Sequence, residues 1–356
     1  VPYLPKSLAK RIYIESLDGI RALAFLVVFV AHCGAEKLIP GGFGVTVFFF
    51  LSGYLITTLL RMEFEETGRL DLKSFYIRRA FRIFPSQYLI FIIALLLCYV
   101  HYIPGQPTLT SILMQTFQLT NYLTIHGTAS VPYGTGIYWS LSVEEHFYFL
   151  FPFFLLFLMR NKRHLDSSLV LSLLCFLILV WRMLLVQFYP DYEDRIYRGT
   201  DTRIDSILFG CILALVMNPQ FDIKEEGKEW IWILLCLGSV CILVVTFLMK
   251  DLRYRETIRY SLQGIALFPL FYSAVKYPKW LVFQPLNWGW VRHLGVLSYS
   301  LYLVHYIVIY LVKTHSPWPS PFITGLISLF FSITLAQLLY WAIEKPCMKL
   351  RNHFLK

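Results

Sequence analysis

Residues 19–36 read GIRALAFLVVFVAHCGAE, an apolar run broken only by Arg21 near its start and His32 near its end before the closing acid. Crossing the hydrocarbon core as a helix takes roughly 20 apolar residues, so this run predicts a transmembrane helix. An ionisable side chain inside such a span is costly, and Arg21 and His32 are therefore candidates for function rather than for packing. They stand eleven positions apart. That is close to three helical turns, so they share one face and are separated by roughly 16 Å along the axis. Such a face is expected to line a protein interior.

Similar stretches recur at 43–62, 83–103, 141–159, 167–187, 204–218, 229–249, 257–275, 294–313 and 320–343. The expected fold is an all-α integral membrane protein of about ten transmembrane helices. The simplest partition is a single membrane domain over 1–356, with no appended soluble domain. Composition agrees: 57% of residues are hydrophobic and 15% charged, with a mean hydropathy of +0.59, whereas soluble domains are roughly one-quarter charged. The N-terminal ten residues are polar and no small-residue cleavage site follows the first apolar helix, so no cleavable signal peptide is expected.

The basic residues set the orientation, because retained cytoplasmic segments collect Lys and Arg. With the N-terminus inside, the cytoplasmic segments hold Lys6, Lys10, Arg11 and Arg21; Arg61, Arg69, Lys73, Arg78, Arg79 and Arg82; and Arg160, Lys162 and Arg163. They also hold Lys224 and Lys228; Lys276, Lys279 and Arg292; and Lys345, Lys349, Arg351 and Lys356, making 22 of the 32 basic residues. The segment from His101 to Ile137 has none. Both termini are thus expected in the cytoplasm. The net charge of +10 follows the membrane normal, which fits anionic lipid headgroups and argues against a nucleic-acid partner. The cysteines Cys33, Cys98, Cys175, Cys211, Cys236 and Cys241 fall in apolar helices without C-x-x-C spacing, so they read as packing residues and no metal is expected.

Further polar residues interrupt the later spans. In FFFLSGY (48–54), Ser52 and Gly53 are small residues suited to close helix packing. In YIRRAFRIFP (76–85), Arg79 and Arg82 are three apart, on one face of a helix, and could clamp a phosphate. YWSLSVEEHFYFLFP (138–152) brings Glu144, Glu145 and His146 into the opening of an apolar span, where a carboxylate could raise the basicity of an imidazole and fix its tautomer, or one of the glutamates could serve as a structural cap. Tyr138 and Trp139 read as interfacial anchors. In RGTDTRIDS (198–206), Arg203 and Asp205 read as an outer-side ion pair or acceptor-binding group. His305, in LSYSLYLVH, is a second intramembrane histidine that reads as packing or pathway lining.

These residues, in this order, resemble the acyltransferase-3 family of bacterial integral-membrane O-acyltransferases. The resemblance runs through LDGIRALA with His32 after it, GGFGVTVFFFLSGYLI, FYIRRAFRIFP, YWSLSVEEHFY, TDTRIDSILFG, LSYSLYLVH and the closing IEKP. It implies transfer of an acyl group, typically acetyl from acetyl-CoA, to a hydroxyl of an exported glycan or another small-molecule acceptor, in the bacterial cytoplasmic (inner) membrane. On the matching positions, Arg21 and His32 form the basic-x10-His motif, Arg79 and Arg82 the R-x-x-R motif that would hold CoA phosphates, and Glu144 the glutamate of the W-S-L motif. His32 is then the general base or an acyl relay, oriented by Glu144. Trp139, Arg203 and Asp205 are candidates for acceptor contact. His146 departs from the pattern, since similar proteins often carry Gln there. Many relatives continue into an extra-cytoplasmic hydrolase-like domain, so an extra-cytoplasmic partner is a further expectation.

The rival reading is a secondary transporter or flippase using the same intramembrane residues. Transporters commonly show internal symmetry and paired broken helices, and neither is evident in this sequence.

Overall fold

The computed structural model describes residues 14–127, 130–161, 164–220, 222, 228–315 and 320–355. Of the charges used above to set orientation, Lys6, Lys10, Arg11, Lys162, Arg163, Lys224 and Lys356 lie outside the described residues. Ten helices make the body of the fold: α1 (Glu15–Val30), α2 (Gly41–Thr67), α3 (Leu72–Tyr99), α4 (Trp139–Asn161), α5 (His164–Phe188), α6 (Asp205–Val216), α7 (Glu229–Leu248), α8 (Ile258–Lys276), α9 (Gly289–His315) and α10 (Pro321–Leu339). No strand occurs among the described residues. Each helix coincides with one of the ten apolar stretches.

Eight of the ten are long and apolar enough to cross a membrane. The other two are α6 and α8, and each has a physical reason to differ. At 12 residues α6 reaches only about 18 Å. It is buried along almost its whole length against α2, α5 and α8, so protein rather than lipid surrounds its ends. Arg61 of α2 closes its last turn, donating from Nη1 to the Ala214 and Leu215 carbonyls at 2.9 and 3.1 Å while pairing with Asp222. For its part, α8 carries Arg259, Ser261 and Gln263, whose polar atoms turn inward to Glu256, Arg182 and Thr246.

Lipid-facing and inner helices are distinguished by their exposure. Leu169, Leu173, Phe176 and Leu177 on α5 and Ile233, Leu234 and Leu237 on α7 are exposed. So continuous an apolar face is stable only against hydrocarbon. Helices α1, α2, α6 and α9 form the interior. Contact between α2 and α6 depends on glycine: a Cβ at Gly53 would lie 1.9 Å from the Ile207 carbonyl oxygen, and one at Gly210 would lie 1.9 Å from that of Phe50. The packing role expected of Gly53 is therefore met by a reciprocal pair.

Successive helices alternate in direction. Near the starts of α1 and α9, Arg292 pairs with Glu15 at 2.9 Å, and Phe354, in the terminal helix Lys345–Phe354, rests on Phe81 of α3 at 5.3 Å. Both ends of the described chain thus lie at the end of the bundle that carries Arg79 and Arg82, called the base below. The described residues of the 101–137 segment, at the far end, are folded into the bundle. Its Gln118 exchanges hydrogen bonds with Gln87 of α3, and Asn121, Thr124 and Thr135 are fully buried.

Candidate active site

At the top of α1 the helix widens into a π turn over Ala31–Ala35, and Gly34 leaves helical geometry at φ +106°. Single π turns within α-helices recur at functional sites because they re-aim one side chain. Here the side chain is His32. Its Nδ1 lies 2.9 Å from Nε2 of His305 on α9, the two rings are stacked within 8° of parallel, and Tyr306 stands edge-on at 4.6 Å.

Proton bookkeeping orients this pair. Nδ1 of His305 lies 2.9 Å from the Tyr302 carbonyl oxygen, which can only accept, so that nitrogen carries hydrogen. In a neutral His305 the Nε2 is then a lone pair, and Nδ1 of His32 must donate to it. The free lone pair of a neutral His32 is left on Nε2, the atom a base or nucleophile would use. His305 thus takes the position expected of Glu144. Glu144 sits at the level of Ser52, accepting from the Ser52 hydroxyl at 3.1 Å and from the Tyr148 hydroxyl at 2.9 Å. This corrects the expectation that Glu144 orients His32. The cause is the start of α4, which lies inside the bundle rather than at the interface, so its first turn is already beside the middle of α2.

Two chambers flank this point. Toward the base, a cleft is lined by Arg21, Arg79, Arg82, Ser52, Glu144 and Glu145 among others. Arg21 is held by Asp18 at 2.5 Å. Arg79 stacks over the Tyr148 ring at 5.0 Å, and neither Arg79 nor Arg82 is hydrogen-bonded to another described side chain. The three guanidiniums converge on this cleft, with two free to bind an anion, while His32, expected on the same face as Arg21, lines the other chamber. Ser52, read from sequence as packing, also bridges Glu144 and Tyr148. Toward the far end, a larger chamber holds His32. Val45 and Tyr302 line both chambers.

The acceptor candidates divide. Trp139 is 6% exposed and packs on Phe49 and Tyr197, lining the far chamber; the expectation of an interfacial anchor for Trp139 and Tyr138 is overturned by their burial. The expected Arg203–Asp205 pair does not form. Residues two apart on a helix point away from each other. Asp205 instead pairs with Arg182 of α5 at 2.7 Å, both side chains fully buried, and Arg182 also donates to Ser261 and the Thr202 carbonyl. Arg203 donates to Thr46 at 3.1 Å and stacks on Tyr260 at 3.9 Å within a box completed by Phe49, Trp139 and Tyr197. His146 bonds Thr200 at 2.7 Å. Among the described residues no cluster of side chains suited to a metal occurs.

The sequence matches the family model described as an acyltransferase domain over residues 14–341. The chain belongs to the acyltransferase-3 family. It is 29% identical over 352 residues to the O-acetyltransferase OatA of Staphylococcus aureus strain NCTC 8325, covering 95% of this chain and 57% of that protein. A putative O-acetyltransferase of S. aureus strain COL is 31% identical over 361 residues, covering 95% and 58%. A putative peptidoglycan O-acetyltransferase of Bacillus subtilis, YrhL, is 30% identical over 364 residues, covering 94% and 55%. The chain therefore spans somewhat more than half the length of these acyltransferase-3 relatives. No solved structure matches it.

Proposed function

We propose that this chain carries out the membrane step of an O-acyltransferase: it takes an acyl group, acetyl in the simplest case, from acyl-CoA in the base chamber and delivers it to a glycan hydroxyl in the far chamber. The single observation that carries this reading is a pair of chambers with Val45 and Tyr302 lining both, free arginines in one and His32 in the other. A transporter or flippase would need a continuous path but no guanidinium clamp. The named activities of the relatives, O-acetylation and in one case that of peptidoglycan, point the same way.

Charge sets the direction. Among the described residues the base carries most of the basic side chains, and it is the cytoplasmic side in this reading, where CoA thioesters are available. Arg79 and Arg82, with Arg21 behind them, fit the phosphates of the donor, since a guanidinium matches phosphate geometry in bidentate fashion. His32 Nε2 takes the proton of the acceptor hydroxyl as its oxygen attacks the thioester carbonyl. The carbon–sulfur bond breaks, the thiolate leaves, and the imidazolium returns the proton to it. His305 holds His32 in the tautomer that makes this possible. Transfer to a partner or domain on the far side would follow the same route.

Acetyl-CoA binding to the purified protein, followed by calorimetry, tests the donor site. Saturable binding that Arg79→Ala/Arg82→Ala weakens by about tenfold, roughly 1.4 kcal/mol, is expected. A folded wild type that binds no acetyl-CoA contradicts the reading.

A further inference from the structure

Basic residues avoid short translocated segments, yet four of them line the far chamber: Lys37, Lys250, Arg255 and Arg259. Glu36 is the one carboxylate among the residues lining it. Arg259 is tied to Glu256 at 3.4 Å and to the Tyr260 hydroxyl at 3.1 Å. Lys37, Lys250 and Arg255 have no ion-pair partner among the described residues. The chamber that holds His32 is thus cationic at the end of the molecule where cations are least expected.

A second observation lies deeper in the same chamber. Gln263 lines it, is 2% exposed, and its Oε1 has no hydrogen-bond donor. The orientation of this amide follows from Thr246, which gives its hydroxyl proton to the Leu243 carbonyl at 2.8 Å and can only accept from Gln263, at 3.5 Å. The amide nitrogen therefore faces Thr246, and Oε1 is left an enclosed acceptor without a partner, which a hydroxyl reaches once the side chain turns toward the chamber. Burying such an atom unpaired is costly, and a bound hydroxyl would recover that cost.

We propose that the far chamber selects an acceptor bearing an anionic group, phosphate or carboxylate, on the same molecule as the hydroxyl to be acylated. Lys37, Lys250 and Arg255 hold the anion at the mouth, and Gln263 Oε1 accepts from a sugar hydroxyl deeper in. This deepens the acyl-transfer reading and rests on it for the fate of the hydroxyl. The test measures binding and not turnover, so that it remains readable if transfer itself fails.

The protein in phosphatidylcholine nanodiscs is titrated with N-acetylglucosamine 1-phosphate and with neutral methyl N-acetylglucosaminide. The phosphorylated sugar is expected to bind about tenfold more tightly, and Lys250→Gln/Arg255→Gln to bring the two affinities together. Gln263→Leu is expected to weaken both sugars alike and leave their ratio unchanged. No binding of the phosphorylated sugar, equal affinities in the wild type, or discrimination that survives the double substitution would overturn the proposal. The same cations could instead serve lipid headgroups. In that case phosphatidylglycerol would be retained by the wild type and lost from Lys250→Gln/Arg255→Gln with no discrimination between the sugars, and this too would overturn it.

Discussion

At the scale of single residues, the tautomer chain from the Tyr302 carbonyl through His305 to His32 assigns different outcomes to two histidines. His32→Ala removes the proposed base and is expected to abolish acyl transfer with normal expression; retained activity would refute its role. His305→Leu keeps the volume but leaves His32 without a fixed tautomer, and transfer should fall by about a hundredfold, in the range of a general-base contribution. His305→Gln offers an amide oxygen to His32 Nδ1 and should recover part of that loss, which steady-state rates would show. A His305 that served only packing would give Leu and Gln variants in the opposite order. Asp205 belongs to stability rather than chemistry. Removing one member of a buried ion pair leaves the other uncompensated, so Asp205→Ala should destabilise the protein by about 3–5 kcal/mol, read by thermal unfolding in detergent. Unfolding at the wild-type temperature would show that Arg182 has other support.

At the scale of elements, the α2–α6 contact is set by backbone approach. Gly53→Ala would push a methyl group into the Ile207 carbonyl, whereas Gly238 on α7 has nothing within 4 Å of an added Cβ. Gly53→Ala should therefore lower the unfolding temperature sharply and Gly238→Ala should leave it unchanged or slightly raised; equal behaviour would contradict the packing described for α2 and α6. The same elements show what was legible in the sequence. Apolar length located all ten helices, and the three-residue spacing put Arg79 and Arg82 on one face of α3, because each rests on helical periodicity alone. Depth was not legible. The hydropathy of 141–159 does not reveal that α4 begins within the bundle, and so Trp139 looked interfacial and Glu144 looked like a neighbour of His32. Pairing across long separations was likewise hidden: His305 lies 273 residues from His32, and Arg182, the partner of Asp205, sat unremarked in a hydrophobic span.

At the scale of the whole molecule, an interior lined by arginine, glutamate and histidine is enclosed by helices whose outer faces suit only lipid. In the proposed reading the two chambers divide donor from acceptor, with Val45 and Tyr302 common to both. The central claim is that the acyl group passes between them across the bilayer at His32. The direct test is a sealed proteoliposome with acetyl-CoA confined to one compartment and a soluble muropeptide to the other. The account predicts acetylated muropeptide in the compartment that holds no acetyl-CoA, and none with His32→Ala. Acetylation seen only when donor and acceptor share a compartment would contradict it.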